Sequence, residues 1–99
     1  MRTPLVTVIL PAKDAGAYIG TTLETLTRQF DDPASLKFVA IDDGSRDDTG
    51  TLMRRYAERF PHAEVIVNPR PKGLASARNQ GLEHLEGDAF CFLDGDDWM

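Results

Sequence analysis

Apolar positions along this chain keep two rhythms that alternate. Leu5 to Leu10 (Leu-Val-Thr-Val-Ile-Leu), Phe38 to Ile41 and Phe90 to Leu93 are short, nearly continuous apolar runs, and Val65-Ile66-Val67 is a shorter one. Such runs predict strands covered on both faces. Between them, Ile19, Leu23, Leu26 and Phe30 recur at helical spacing, as do Leu52, Tyr56 and Phe60, and Leu74 with Leu82 and Leu85. These predict three helices, each with an apolar stripe. Ser45 and Asp48 stand where they could cap the second helix, and Gly87 where a left-handed residue could close the third.

Strands alternating with helices over short connections fold through right-handed crossovers into a parallel sheet layered with helices. The expectation is an α/β fold: a Rossmann-like, three-layer α/β/α half-domain on a mainly parallel four-strand sheet. Ninety-nine residues with 41% hydrophobic content suit one small domain spanning residues 1–99. No repeat, linker or low-complexity segment divides it.

Charge and cysteine content narrow the function. A net charge of −5 without any run of Lys or Arg argues against nucleic acid and anionic membrane surfaces, both of which need a basic footprint. No stretch reaches the length of a membrane span, and the first ten residues follow a strand pattern, not that of a signal peptide. The expected location is the cytoplasm. Cys91, the single cysteine, lies inside an apolar run and is expected to be a buried, inert thiol.

In open parallel sheets ligands sit beyond the carboxyl ends of the strands. Pro11-Ala12-Lys13-Asp14, Asp42-Asp43-Gly44-Ser45 and Asp94-Gly95-Asp96-Asp97 all fall at such ends. Three polar segments far apart in sequence are thus expected to converge. Asp94, Asp96 and Asp97 place three carboxylates within four residues. Their mutual repulsion would be relieved by a hard divalent cation such as Mg²⁺ or Mn²⁺, although an acidic solvated turn has the same composition. Neither the G-x-G-x-x-G dinucleotide fingerprint nor the G-x-x-x-x-G-K-[ST] phosphate loop is present, and the acidic loops do not match an EF-hand.

Four motifs in order give the chain a specific likeness: the strand end Val8-Ile9-Leu10-Pro11, the segment Ile41-Asp42-Asp43-Gly44-Ser45-Arg46-Asp47-Asp48-Thr49, the segment Gly73-Leu74-Ala75-Ser76-Ala77-Arg78-Asn79-Gln80-Gly81, and the ending Leu93-Asp94-Gly95-Asp96-Asp97. Together they resemble family 2 of the GT-A glycosyltransferases, which transfer a sugar from a nucleoside diphosphate sugar. The resemblance runs from Leu5 to Met99 and implies strand order 3-2-1-4, with the nucleotide across the tips of the first and fourth strands. It also implies that these residues correspond to the donor half of an inverting enzyme, with the acceptor half and the general base having no counterpart among them. A nucleotide-binding module without turnover is the alternative.

The resemblance also implies roles. Pro11 and Ala12 would offer backbone groups to the nucleoside, and Lys13 and Asp14 continue that loop. Asp43 would accept from uracil N3–H, which an acceptor-only carboxylate can satisfy and which favours uracil over cytosine. Asp42 would support the loop or the ribose. Arg78, with Asn79 beside it on a helix face turned inward, would donate to the base or diphosphate, and Lys72 could meet phosphate. Asp96 or Asp97 would hold Mn²⁺ or Mg²⁺, while Asp94 or Asp96, flanking Gly95, would touch the ribose. No residue is assigned as catalytic. His62 and His84 are expected to be solvated bystanders. The family often has an aromatic residue followed by Asn after the strand-end proline, where this chain has Lys13-Asp14, so a base stack from this loop is not implied.

Three further expectations follow. The partner is UDP or a UDP-sugar. Asp43→Ala is expected to weaken its binding with little effect on stability, because Asp43 is taken to read a base and not to fill the core. The fourth strand, Ala89 to Leu93, lies at an edge with no protective Lys or Pro, so a homodimer through Phe90 to Leu93 is expected.

Overall fold

A computed structural model of the chain describes residues 6–29, 36–87 and 89–93. The elements run β1 (Val6–Ala12), α1 (Gly16–Gln29), β2 (Leu36–Asp43), α2 (Thr49–Ala57), β3 (His62–Asn68), α3 (Leu74–Leu82) and β4 (Ala89–Phe92). Four strands pair in the order β3-β2-β1-β4, and every pairing is parallel. This is the architecture and strand order expected from the sequence.

Only the two central strands are covered on both faces. β2 is buried throughout, and β1 is buried from Thr7 onward. β3 mixes exposed and half-buried positions until its last residue, Asn68, which is buried, and β4 is exposed along its length. An edge strand has a neighbour on one side only, so the apolar composition of Phe90 to Phe92 does not translate into burial. Cys91 is accordingly exposed, contrary to the inert buried thiol that its apolar neighbours suggested. Phe90 is 49% exposed and stands edge-on to Phe92, with ring centroids 5.9 Å apart.

The larger core lies on the face that carries α1 and α2. Val8, Leu10, Leu36, Phe38 and Ala40 meet Ile19, Leu23, Leu26, Met53 and Phe60 there. Phe38 and Phe60 sit with ring centroids 5.4 Å apart. The other face is covered by α3 through a smaller cluster of Ile9, Val39, Ile41 and Ala77, with Ile66 beside it. Here the helix stripe differs from expectation. Ala77 and Gly81 are the buried positions of α3, while Leu82 and Leu85 are exposed. The reason is proximity: a Cβ on Gly81 would collide with Ile9 Cγ2, so the small residues let the helix lie close on the sheet. Phe30, the last residue of the first predicted stripe, lies outside the described residues.

Toward the amino ends of the strands, that same face is closed by polar groups. Lys37, only 7% exposed, donates to Glu86 Oε1 at 3.1 Å and lies 3.5 Å from Glu64 Oε2. Thr7 Oγ1 donates to the Glu86 carbonyl and accepts from the Glu86 amide. His84 is no bystander, since its Nδ1 lies 2.7 Å from Glu64 Oε2. His62 is exposed at the start of β3. Gly87 does have the expected positive φ of 87°, but α3 ends at Leu82, so Gly87 shapes the connection to β4 and not the helix end.

Candidate nucleotide-binding site

The site is built at the carboxyl ends of β1 and β2, where two loops are bonded to each other and to a third. After Ala12 the chain turns through Asp14, the only non-glycine among the described residues with a positive φ, at 49°. Asp tolerates this left-handed conformation better than most residues. The Asp14 amide donates to Ser45 Oγ at 2.9 Å, and Arg46 N donates back to Asp14 Oδ1 at 2.6 Å. Loop 13–15 is therefore clamped to loop 44–48 from both sides.

Asp47 extends this clamp. Its Oδ2 accepts from Gly16 N at 2.9 Å, and its Oδ1 accepts from Thr49 N at 3.0 Å and from the Thr49 hydroxyl. Thr49 Oγ1 in turn accepts from Ala15 N at 2.8 Å. Ala15 has no side-chain acceptor to offer the first turn of α1, so Asp47 and Thr49 satisfy those amides from another loop. Burial works against ionisation of Asp47, but the hydrogen bonds from Thr49 and Gly16 outweigh it and hold the carboxyl below its ordinary value. The predicted caps of α2 are corrected: Asp48 occupies the N-cap position without a side-chain bond, and Ser45 serves the Asp14 clamp.

Asp42 and Asp43, adjacent on β2, project to opposite faces. Asp42 is buried and accepts from Ser45 N at 3.0 Å, and its Oδ2 lies where a Cβ on Gly50 would stand. Asp43 is 0% exposed. Its Oδ1 accepts from Asn68 Nδ2 and from Lys72 N, both at 2.9 Å, and its Oδ2 accepts from Gly73 N at 3.0 Å. One carboxylate thus ties the end of β2 to the end of β3 and to the segment entering α3. Gly44, with φ 71°, lets the chain pass so close to Arg70 and Pro71 that a Cβ would come within 2.6 Å of Pro71 N. The picture of Asp43 as a group apart from the core is thereby corrected: it is a buried structural latch, whatever else it binds.

The remaining candidates divide. Pro11 and Ala12 are buried at the end of β1, and Lys13 is half-buried beside them. Lys72 takes part through its backbone amide, and its side chain is exposed. On α3, Arg78 is half-buried with its guanidinium carbon 5.4 Å from the Phe92 ring centroid. Asn79 is exposed, which corrects the inward-facing pair: adjacent helical positions point about 100° apart, so only one can face the sheet. Arg78 thus stands beside β4. Asp94, Gly95, Asp96 and Asp97 fall outside the described residues. Leu93, just before them, donates its amide to Ile9 O at 2.9 Å, in line with the β1–β4 pairing. Among the described residues no three His, Cys, Asp or Glu side chains assemble as a metal site.

Sequence reasoning passed over Asn68, Gln80 and Thr49 as site builders. Thr49 was signalled by its position two residues after Asp47, a common side-chain-to-backbone spacing. Asn68 and Gln80 carried no such local signal, because their partners are distant in sequence.

Comparison with known proteins places these features in context. The protein-family model for glycosyl transferase family 2 matches residues 7–99. Glycosyltransferase AglE of Haloferax volcanii is 30% identical over 93 residues, covering 94% of this chain and 31% of its own. The mannosyltransferase PcManGT from Pyrobaculum calidifontis, solved in complex with GDP-Man and Mn²⁺, superimposes with a TM-score of 0.84 at 30% identity, covering 97% of this chain and 28% of that one. S. aureus TarS 1–349 in complex with UDP-GlcNAc gives a TM-score of 0.85 at 27% identity, over 93% of this chain and 26% of that one. The chain therefore spans about a third or less of the length of these relatives.

Proposed function

The chain belongs to glycosyltransferase family 2, and from that premise we propose that it is the donor-binding part of an inverting transferase that holds a UDP-sugar through a divalent metal. The observation that carries this reading is the joining of three loops at the carboxyl edge of the sheet: loop 13–15 is bonded to loop 44–48, loop 44–48 to Asp42, and loop 69–73 to Asp43. Relatives of this fold have been solved with UDP-GlcNAc and with GDP-Man and Mn²⁺, which supports a nucleoside diphosphate sugar as ligand.

In this reading the base lies against Pro11 and Ala12, and Asp43 Oδ2 accepts from uracil N3–H. Three donors occupy the Asp43 carboxylate, which has about four acceptor positions; Asp43 is wholly buried, so a base reaches the fourth only as the residues covering it part. Lys13, Asp14 and Asp42 line the ribose side, and Arg78, Asn79 and Lys72 approach the diphosphate from α3 and its entry. Asp96 or Asp97 would hold Mn²⁺ or Mg²⁺, and Asp94 or Asp96, flanking Gly95, would touch the ribose; carboxylate oxygens suit such hard ions. When bound, the ion supplies charge neutralisation for the departing diphosphate. Transfer breaks the bond from the anomeric carbon to the β-phosphate oxygen and forms one to an acceptor hydroxyl oxygen, whose proton passes to a base. The described carboxylates of the site are committed elsewhere: Asp42, Asp43 and Asp47 each hold backbone amides.

Two accompanying features complete the reading. The exposed β4 edge, with Phe90 and Phe92 beside Cys91, is a pairing surface for a second copy. A cytoplasmic location fits a chain whose one cysteine is free. No described helix is long and apolar enough to cross a membrane. The deciding experiment is calorimetric titration with UDP in Mn²⁺ and in EDTA. Turnover then separates the transferase from a module that only binds nucleotide, by release of UDP from UDP-sugars in the presence of candidate acceptors.

A further inference from the structure

Asn68 is the last residue of β3 and the register partner of Asp43, so the sheet itself brings the two side chains together. What the backbone leaves open is the rotation of the Asn68 amide, a terminal sp³–sp² torsion with a broad, roughly two-fold preference. Turned end for end, the amide would place its oxygen against the Asp43 carboxylate.

Gln80 removes this freedom. Asn68 Nδ2 donates to Gln80 Oε1, and Gln80 Nε2 donates back to Asn68 Oδ1, both at 2.8 Å. The two amides form a closed reciprocal pair. The second Nδ2 hydrogen of Asn68 is thereby aimed at Asp43 Oδ1, 2.9 Å away. Asn68 is 3% exposed, so water cannot easily take over either role. With Oδ1 filled by Asn68 and Lys72 N, and Oδ2 by Gly73 N, the carboxylate plane is fixed and its free acceptor position lies on Oδ2.

We propose that the Asn68–Gln80 amide pair positions the Asp43 carboxylate and so sets base selectivity without touching the nucleotide. The inference rests on the reading of Asp43 as the group facing the base. Uracil presents N3–H to that acceptor, whereas cytosine presents an unprotonated N3, which a well-placed carboxylate repels. A carboxylate free to turn discriminates less. Asn68 and Gln80 are therefore positioning residues, and their signature is the ratio of UDP to CDP affinity.

The test measures both dissociation constants by calorimetry, with Mn²⁺ present throughout, in the parent protein and four variants, and follows unfolding temperature in parallel. Gln80→Leu is expected to lower the UDP:CDP ratio about three- to tenfold, the range of one ordinary hydrogen bond between neutral groups. Asn68→Asp, which faces Asp43 with a second carboxylate, is expected to lower it further. Gln80→Glu keeps the acceptor for Asn68 Nδ2 while losing the return bond, and should retain most of the ratio; its added charge acts equally on both nucleotides. Asp43→Asn is the reference. A ratio that falls in Asp43→Asn but stays at the parent value in Gln80→Leu and Asn68→Asp overturns the positioning role alone. A ratio unmoved by Asp43→Asn overturns the base contact, and the inference with it. Loss of unfolding temperature with an unchanged ratio marks the pair as purely structural and rejects the proposal.

Discussion

Replacing Asp43 by Ala removes one carboxylate and strands three donors. Asn68 Nδ2 loses one of its two acceptors in a buried position, and the amides of Lys72 and Gly73 lose theirs in a partly buried loop. A hydrogen bond to a charged group contributes about 1.5–3 kcal/mol, and an abandoned buried donor costs about 1–3 kcal/mol. These terms are not additive, because the three donors share one acceptor group. Water can reach the two loop amides after the truncation, so the Asn68 term dominates and the net loss is about 3 kcal/mol. For a domain of this size each kcal/mol moves the unfolding midpoint by about 4–8 °C, which gives a drop of roughly 12–24 °C. Differential scanning calorimetry of the parent and Asp43→Ala measures it directly. Asp43→Asn should fall between the two, since it keeps one acceptor oxygen and turns a donor toward either Asn68 or Gly73. A midpoint lowered by less than about 3 °C in Asp43→Ala would refute the latch and restore the view of Asp43 as a group peripheral to the fold.

Two other outcomes follow from the same geometry. The Asp47 carboxyl is held below its ordinary value of 3.8, so its contribution to stability is fully present above that pH and is lost as pH falls through the lower folded value. Because Asp47 is exposed, the effect is small: Asp47→Asn should cost about 1 kcal/mol at neutral pH, and urea unfolding should show the parent and variant converging as the carboxyl becomes protonated in acid. A difference that stays constant as the pH is lowered would contradict the assigned charge state. At the other edge of the sheet, light scattering at micromolar concentration should find a dimer that Phe92→Lys dissociates, and a monomer across a dilution series would remove the β4 interface.

The parts of the fold that rest on chain-local pattern were legible. β1 and β2 announce themselves as continuous apolar runs because they are the two central strands, and the alternation with helices dictates a parallel sheet. β4 carries the same kind of run, yet edge position and not composition decides its exposure, which is why Cys91 was misplaced. α3 was located by Leu74 and Leu82, but its contact with the sheet is made by Ala77 and Gly81. An apolar stripe counts large side chains, whereas close helix–sheet approach selects small ones. In the site, the Asp42-Asp43-Gly44-Ser45 segment stood out as a polar strand end. That Asp43 is a buried acceptor for three donors was not visible, since those donors come from residues 25 to 30 positions away. Separation along the chain, 12 residues for Asn68 and Gln80, also hid that amide pair and the partnership of His84 with Glu64. Whether a polar residue is spent inside the protein or offered to a ligand depends on contacts that spacing does not encode.

The central claim is that the carboxyl edge of this sheet holds a uridine diphosphate through a divalent ion. Calorimetric titration of the chain with UDP, once in excess Mn²⁺ and once in excess EDTA, tests it most directly. The account predicts saturable one-to-one binding in Mn²⁺ that weakens at least about tenfold in EDTA, a difference of about 1.4 kcal/mol. Equal affinity in the two buffers would contradict the metal-dependent site, and a folded protein that binds UDP in neither would contradict the donor-binding function itself.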